Sequence, residues 1–507
     1  MNQKICGYDL DNQQKAIVED ESNHLLVVAG AGSGKTLTIL GKVYYLVKVK
    51  NISPNEIICI SFTKASSDSL REKIKNEFNF EIPVYTFHKL ALNILKEDHN
   101  YTIADPSTLD YIIDEFFKTK ILNYPEIMSL TLKYFSLNNK EEYIKNYEKG
   151  DNKIILLQRL ISTFIHLFKC NNYELNDFIK FSKKIKKSFS YKKEKIILTF
   201  ILNCYLEYEE YLKQNNEIDF DDMLIRATEK IQKEGYREKV QYVMIDEYQD
   251  TSLVKFNLVK EILNFTNAKL MVVGDDFQSI YRFTGCDLSL FLNFNSYFKD
   301  SKVMRIENTY RNSQELIQVA GKFVMKNRAQ LKKNLKSSKR IDKPIVFVNY
   351  VNLKQQFLEL IKKIYKETQK PILVLGRNNK DIHSILDYRY FKVKENEIIY
   401  KLDDNIKITY LTVHKSKGLE EENVILINMK DELLGFPSQI KNNKILRLVS
   451  KSSAKYPYDE ERRLFYVALT RTKNKIYLLI PNKNQSIFVK ELWKNYKKLI
   501  EKIKVES

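Results

Sequence analysis

The chain has 507 residues, 44% of them hydrophobic, which is enough for two to four domains with substantial cores. Lysine and arginine total 84 against 64 acidic residues, and the resulting charge of +20 favours a polyanionic partner such as nucleic acid, although lysine spread over solvated faces would give the same excess. Five cysteines (Cys6, Cys59, Cys170, Cys204, Cys286) stand at no metal-ligand spacing and no apolar stretch could span a bilayer, which argues against a zinc site, a disulfide framework and a membrane protein.

LLVVA at Leu25, EIICISF at Glu56 and PVYTFH at Pro83 read as apolar strands separated by helical stretches, one after Thr36 and one through Leu70 and Ile74. This is parallel α/β grammar. From 93 to 216 leucine, isoleucine and aromatic residues recur at helical spacing, as in LDYIIDEFFKTKIL, and predict an all-helical insert. Strand grammar resumes at YVMIDE and KLMVVGDD. A second α/β block from about Lys302 carries PIVFVNY, PILVLGR, IKITYLTVH, NVILIN and KIYLLI. The predicted fold class is α/β with two parallel-sheet lobes, the first from residues 1–92 and 217–301, the insert from 93–216 and the second lobe from 302–507. Two lobes imply a cleft between them. The segment KNNKILRLVSKSSAKYPYDE, from Lys441, is expected to be the most mobile loop, with lysines that could also touch nucleic acid. The N-terminus lacks the apolar core of a signal peptide, so a reducing cytoplasm is the expected setting.

Directly after the first apolar run stands AGAGSGKT, that is Ala29, Gly30, Ala31, Gly32, Ser33, Gly34, Lys35 and Thr36. Glycines here let successive backbone N–H groups turn inward onto phosphate oxygens, with a helix N-terminus behind them. Lys35 would reach the β and γ phosphates of ATP and Thr36 would ligate Mg²⁺. Ala29 stands where glycine is commoner, and a plain strand-to-helix turn would also use glycines. The second signal is VMIDE, an apolar strand that delivers Asp246 and Glu247 to its C-terminal end. Asp246 is expected to hold Mg²⁺ and Glu247 to polarise the attacking water. An acidic pair alone could merely cap the next helix. Paired with a phosphate loop, it predicts nucleoside triphosphate hydrolysis.

Further motifs arrive in a fixed order: LDNQQKAI at Leu10, AGAGSGKT, SFTKASSDSLREKI at Ser61, TFHKLA at Thr86, DFDDML at Asp219, IDEYQDTS at Ile245, VGDDFQSIYRFTG at Val273, NTYRNSQEL at Asn308, LTVHKSKGLE at Leu411 and EERRLFYVALTR at Glu460. This series resembles the superfamily 1 helicases of the UvrD/Rep type over nearly the whole chain. Phe283, Thr309, the GFPS at Gly435 and the closing SIFVKEL are similar to its helicase IV branch. The resemblance implies RecA-like lobes, with Gln14 reading the adenine edge and Tyr310 stacking on the base. It further implies that Gln278 contacts the γ phosphate or the water, that Arg311 and Arg471 act as arginine fingers, and that Glu420 contacts the ribose or helps close the cleft. For single-stranded DNA it points to Phe62, Thr63, His88, Tyr281, Phe283, Thr412 and His414, whose aromatic faces would stack on any base. Phe62 and Phe283 could equally be core, and a histidine is often structural.

What the resemblance implies functionally is ATP- and Mg²⁺-dependent movement 3′ to 5′ on single-stranded and tailed duplex DNA, in repair or recombination, with a nuclease or repair protein as a further partner and no membrane. The alternative it leaves open is an ATPase subunit of a partner-dependent assembly, as in Gabija-type phage defence. Three departures stand out: the interval from 312 to 405 leaves no room for the large insert (2B) that longer relatives carry, Leu37 replaces a common arginine, and PNKNQSIFVKEL leaves only a short loop where a strand-separating hairpin would be.

Overall fold

Short apolar strands alternating with capped helices produce two large sheets and, among the described residues, one two-stranded pair. A computed structural model describes residues 4–96, 101–186, 190–440, 443–450 and 456–503. The strands up to the end of the first sheet are β1 (His24–Ala29), β2 (Ile57–Ser61), β3 (Val84–Thr86), β4 (Thr102–Ile103), β5 (Glu217–Ile218), β6 (Tyr242–Ile245), β7 (Lys269–Gly274) and β8 (Ser301–Ile306). They are followed by β9 (Ile345–Tyr350), β10 (Ile372–Gly376), β11 (Phe391–Lys394), β12 (Glu397–Tyr400), β13 (Lys407–Thr412), β14 (Glu421–Leu426), β15 (Thr472–Pro481) and β16 (Ile500–Ile503).

Six strands form the first sheet in the order β3-β2-β6-β7-β1-β8, all parallel. β2 and β6 are buried along their whole length, as a parallel sheet covered by helices on both faces requires. Carboxyl ends of β1, β6 and β7 therefore open on one edge, where loops can build a ligand site. The second sheet has eight strands in the order β11-β12-β13-β10-β14-β15-β9-β16. It is parallel from β13 to β16, with the antiparallel hairpin β11–β12 on one edge. The two RecA-like lobes follow from these sheets.

One strand departs from the predicted division. Ser301–Ile306, assigned by the sequence reading to the second lobe from 302, pairs with β1 from His24↔Ser301 to Ala29↔Ile306 and closes the first sheet. Its half-exposed pattern is that of an edge strand, which periodicity cannot allot to one sheet or the other.

Between the two parts of the first sheet lie helices that include Thr108–Glu115, Pro125–Phe135, Lys140–Glu148, Asn152–Cys170, Asp177–Ile185 and Tyr191–Gln214. Phe116, Phe117, Phe164, Phe168, Phe181 and Phe200 are buried among them, each contributing about 2–3 kcal/mol relative to exposure. β4 pairs with β5 and ties the two ends of this stretch together, so it is not wholly helical as expected. It shares one apolar core with the first sheet, and at the helix Phe220–Glu234 buried Lys169 meets Asp219 at 2.7 Å and Asp222 at 2.9 Å, with Glu209 at 2.8 Å. Burial disfavours the Lys169 charge, yet these carboxylates hold its pKa well above the usual lysine value. Beside it, Gly285 adopts φ +79°, and a side chain there would strike the Cys170 sulfur. Only glycine lets the 281–285 turn lie against the helix end.

Of the segment expected to be most mobile, residues 441–442 and 451–455 lie outside the described residues. The described part is anchored, contrary to the expectation: Ile445 and Val449 are buried with the first-lobe core, and the Val449 carbonyl accepts from Asn171 Nδ2 at 3.1 Å. No helix among the described residues is long and apolar enough to cross a membrane.

Candidate functional site

β1 ends at Ala29 and the helix Lys35–Tyr44 begins six residues later, with the glycine-rich turn between them. Gly32 and Gly34 have φ +70° and +78°, and a side chain on Gly32 would collide with Thr309 and Arg311. Ser33 Oγ donates to the Gly30 carbonyl at 2.9 Å, and Ala31 is buried against the second-lobe core. Lys35 reaches Glu247 Oε1 at 2.7 Å, and Thr36 follows half-buried in the first helical turn.

Asp246 and Glu247 leave β6 beside this loop. The Asp246 N–H donates to Ile60 O at 3.0 Å, and the Glu247 N–H folds back onto Asp246 Oδ1 at 2.9 Å. Glu247 is held at φ +52°, in the left-handed region. Burial, then the neighbouring Glu247 charge, push the Asp246 pKa up. Glu247 is held down in spite of burial, chiefly by Lys35 and then Lys417. Asp250 is buried nearby, its Oδ1 without a hydrogen-bond partner among the described residues. Three carboxylates thus face two ammonium groups at the mouth of the phosphate loop. That surplus of negative charge, with the Thr36 hydroxyl close in sequence to Lys35, is a donor set suited to Mg²⁺, which keeps few protein ligands and completes its shell with phosphate and water. Among the described residues no ready-made cluster of three or more His, Cys, Asp or Glu side chains could hold a metal alone.

The second lobe closes the other wall. Gln278, in the turn after β7, donates Nε2 to Asp275 Oδ2 at 2.7 Å, and its Oε1 accepts from Arg471 Nη2 at 3.1 Å. Arg471 is fully buried, anchored within its own lobe by Nε to Val467 O at 2.9 Å and Nη1 to Leu419 O at 3.1 Å. Burial, and then the charge of Arg311, depress its pKa to about 10, so it remains a cation at neutral pH. Arg311 pairs with Glu420, which also meets Lys473 at 3.1 Å. Burial opposes the Glu420 charge, but Arg311 and Lys473 outweigh it and lower its pKa. Thr309 Oγ1 donates to Ala31 O at 2.6 Å and the Tyr310 N–H to Gly32 O at 3.0 Å, so the NTYR turn clasps the phosphate loop.

On the expected base side, Gln14 belongs to a capping box with Asp11, and its Nε2 donates to Ser33 O at 3.3 Å. Tyr310, 58% exposed, bonds Asp11 Oδ2 through its hydroxyl at 2.8 Å.

Residues expected to meet DNA fall into two groups. Tyr281, Phe283 and His414 form one cluster spanning the lobes, with ring centroids 5.6–6.4 Å apart and the Tyr281 hydroxyl on His414 O at 2.9 Å. Phe283 is 55% exposed and so is not core, whereas Thr412 is buried and accepts from the Lys415 N–H at 3.3 Å. In the first lobe, Phe62 lies edge-on to Phe87 at 5.2 Å with Lys255 over its ring, and His88 lies edge-on to Phe220 at 5.1 Å. Thr63 caps the helix Lys64–Phe78 at the surface. Burial lowers both histidines to about 4, helped by Lys255 for His88 and by Arg377 for His414. Both are neutral at pH 7.

Comparison with known proteins gives the family. The UvrD/REP helicase N-terminal domain model matches residues 10–299, and the UvrD-like helicase C-terminal domain model matches residues 388–483. The chain belongs to the UvrD/Rep helicase family. Its enzyme class is that of the ATP-dependent DNA helicases. It is 27% identical to DNA helicase IV of Escherichia coli (strain K12), over 95% of this chain and 69% of that protein. It is 26% identical to a probable DNA helicase of Mycoplasma pneumoniae, over 93% of this chain and 83% of that protein. The ATP-dependent DNA helicase PcrA of Staphylococcus epidermidis is 25% identical over 71% of this chain, which covers only 46% of that relative.

Several side chains in this helicase cleft were not anticipated. Lys417, in KSKGLE, pairs with Asp250, donates to Gln278 O at 2.8 Å and lies 4.0 Å from Glu247. Gln249 donates to Glu247 Oε2 at 2.5 Å and accepts from the Asp275 N–H at 2.9 Å. Arg463 donates to Ser279 O at 2.6 Å, a further contact between the lobes. Position within the motifs could have flagged Lys417, three residues past His414. Gln249 in IDEYQDTS and Arg463 in EERRLFYVALTR carry the same signal.

Proposed function

We propose that the chain is an ATP-driven motor that moves 3′ to 5′ along single-stranded DNA and opens tailed duplexes, in repair or recombination. The observation that carries this is a single turn with two outlooks: Gln278 faces Arg471 and the carboxylates, while Tyr281 and Phe283, three and five residues later, face the open aromatic cluster. A shift at one end of so short a turn moves the other. Lys35, Thr36 and the loop amides would bind the triphosphate, Asp246 and Thr36 would hold Mg²⁺, and Gln14 and Tyr310 would take the base. Mg²⁺, when bound, would neutralise charge on the phosphates. Glu247, ionised and held by Gln249, accepts the proton of the attacking water. Arg311 and Arg471 neutralise charge that builds on the transferred group.

Ligands drawn from both lobes favour the closed arrangement, and their loss after hydrolysis lets the lobes part. Phe62, Thr63, His88, Tyr281, Phe283, Thr412 and His414 grip the strand by stacking and neutral polar contacts. The polarity rests on the family resemblance. It is tested with duplexes bearing a 3′ or a 5′ single-stranded tail. Unwinding of only the 3′-tailed substrate supports the reading, unwinding of only the 5′-tailed one reverses the polarity, and ATP hydrolysis without unwinding of either favours the partner-dependent subunit.

A further inference from the structure

Lys333 lies in the irregular segment that leads from the helix Gln314–Val324 to β9, yet its side chain is only 2% exposed. Its ammonium pairs with Asp275, lies 2.6 Å from Asp276 Oδ1 and donates to Ala29 O, the last carbonyl of β1, at 3.2 Å. The ring of Phe277 lies beneath it, 3.9 Å to the centroid. Both aspartates are fully buried, so this cation is held where water cannot replace it. The surrounding segment is fastened to the same turn: the Leu331 N–H donates to Asp276 Oδ2 at 2.9 Å and Gln330 Nε2 to Asp276 O at 3.1 Å.

Asp275 is the hub through which Lys333 acts on the cleft. Its Oδ2 accepts from Gln278 Nε2, which turns Gln278 Oε1 toward Arg471, and its N–H bonds Gln249, which in turn bonds Glu247. A buried carboxylate without its cation would draw donors from elsewhere or take up a proton, and either change frees the Gln278 amide to rotate. We propose that Lys333 is a positioning residue for ATP hydrolysis: by fixing Asp275 against the end of β1, it sets the direction in which Gln278 and Glu247 face the reacting phosphate. This inference rests on the functional reading above and assigns Lys333 no contact with the nucleotide.

Steady-state ATP hydrolysis with oligo-dT, together with binding of a fluorescent ADP analogue, tests it. Lys333→Met is expected to lower kcat on the order of 10- to 100-fold, as loss of an outer partner does at other sites, with KM and ADP affinity within about threefold. Lys333→Arg keeps the cation and should recover most of the rate. In an Asp275→Asn background, Lys333→Met should add little, because both substitutions act on the same amide. If Lys333→Met melts early, Lys333→Met with Asp276→Asn restores the parent's net buried charge and takes its place. A folded variant of either kind that turns over at the parent rate, or one that loses ADP binding and kcat alike, overturns the proposal. A parent chain that hydrolyses no ATP overturns the functional reading first, and this inference falls with it, which is a different result from an active parent with an unaffected variant.

Discussion

Replacing Arg471 by alanine should separate catalysis from nucleotide binding. Its guanidinium makes two backbone bonds within its own lobe, to Val467 O and Leu419 O, and one across the cleft, to Gln278 Oε1. The first two orient the fork, and in the proposed function the third turns it toward the γ phosphate. Arginine fingers in related chemistry are worth roughly 10³- to 10⁵-fold in rate, or about 4–7 kcal/mol of barrier. Because Arg471 approaches from the lobe opposite the phosphate loop, most of that loss should appear in kcat, with KM for ATP changed less than about tenfold. Leu419 O loses its donor at a cost of about 1–3 kcal/mol, while Val467 O keeps the Thr470 hydroxyl at 3.3 Å, and the cost is partly offset because a buried cation no longer needs to be desolvated. Arg471→Lys retains charge but not the fork, and should recover only part of the rate. The assay is DNA-stimulated ATP hydrolysis at saturating oligo-dT, with melting curves to establish folding. Turnover by a folded Arg471→Ala chain within about tenfold of the parent would show that the assigned cleft is wrong.

Lys35→Ala should reduce hydrolysis to background while oligo-dT affinity, read by fluorescence anisotropy, stays within about twofold, since the aromatic cluster is separate from the phosphate loop. Phe283→Ala should weaken single-strand binding by about 1–3 kcal/mol, roughly 5- to 150-fold, with a stability change within about 0.5 kcal/mol because the ring is 55% exposed. His166 meets Asp221 at 3.0 Å, and although burial opposes its charge, that carboxylate raises its pKa above the ordinary value of 6.5. Its stabilisation is fully present below pH 6.5 and is lost as pH rises through the raised value, so parent and His166→Gln melting curves should differ at pH 6 and converge by about pH 9. A constant gap would show that the pair contributes no charge.

The phosphate loop and the acidic strand were legible because their chemistry is local: glycines at fixed spacing, an apolar run, then carboxylates. The helical stretch was legible because its aromatic residues keep a helical period over many turns. β8 was misallotted because an edge strand carries no mark of its partner. The hairpin β11–β12 escaped because FKVKENEIIY turns on Glu395, at φ +54°, with no glycine to announce it. Lys333 is one of 84 basic residues in a stretch without secondary structure, and only the folded chain shows that its side chain is buried between two aspartates. Asn443–Val449 looked free in the sequence because its anchor, Asn171, lies 278 positions earlier than Val449.

The most direct test of the account is steady-state ATP hydrolysis at modest salt with and without oligo-dT, with Glu247→Gln measured in parallel. The account predicts strong stimulation by DNA in the parent and near-complete loss of turnover in the variant, with DNA binding retained. Hydrolysis that is indifferent to DNA, or a Glu247→Gln chain that turns over like the parent, would contradict it.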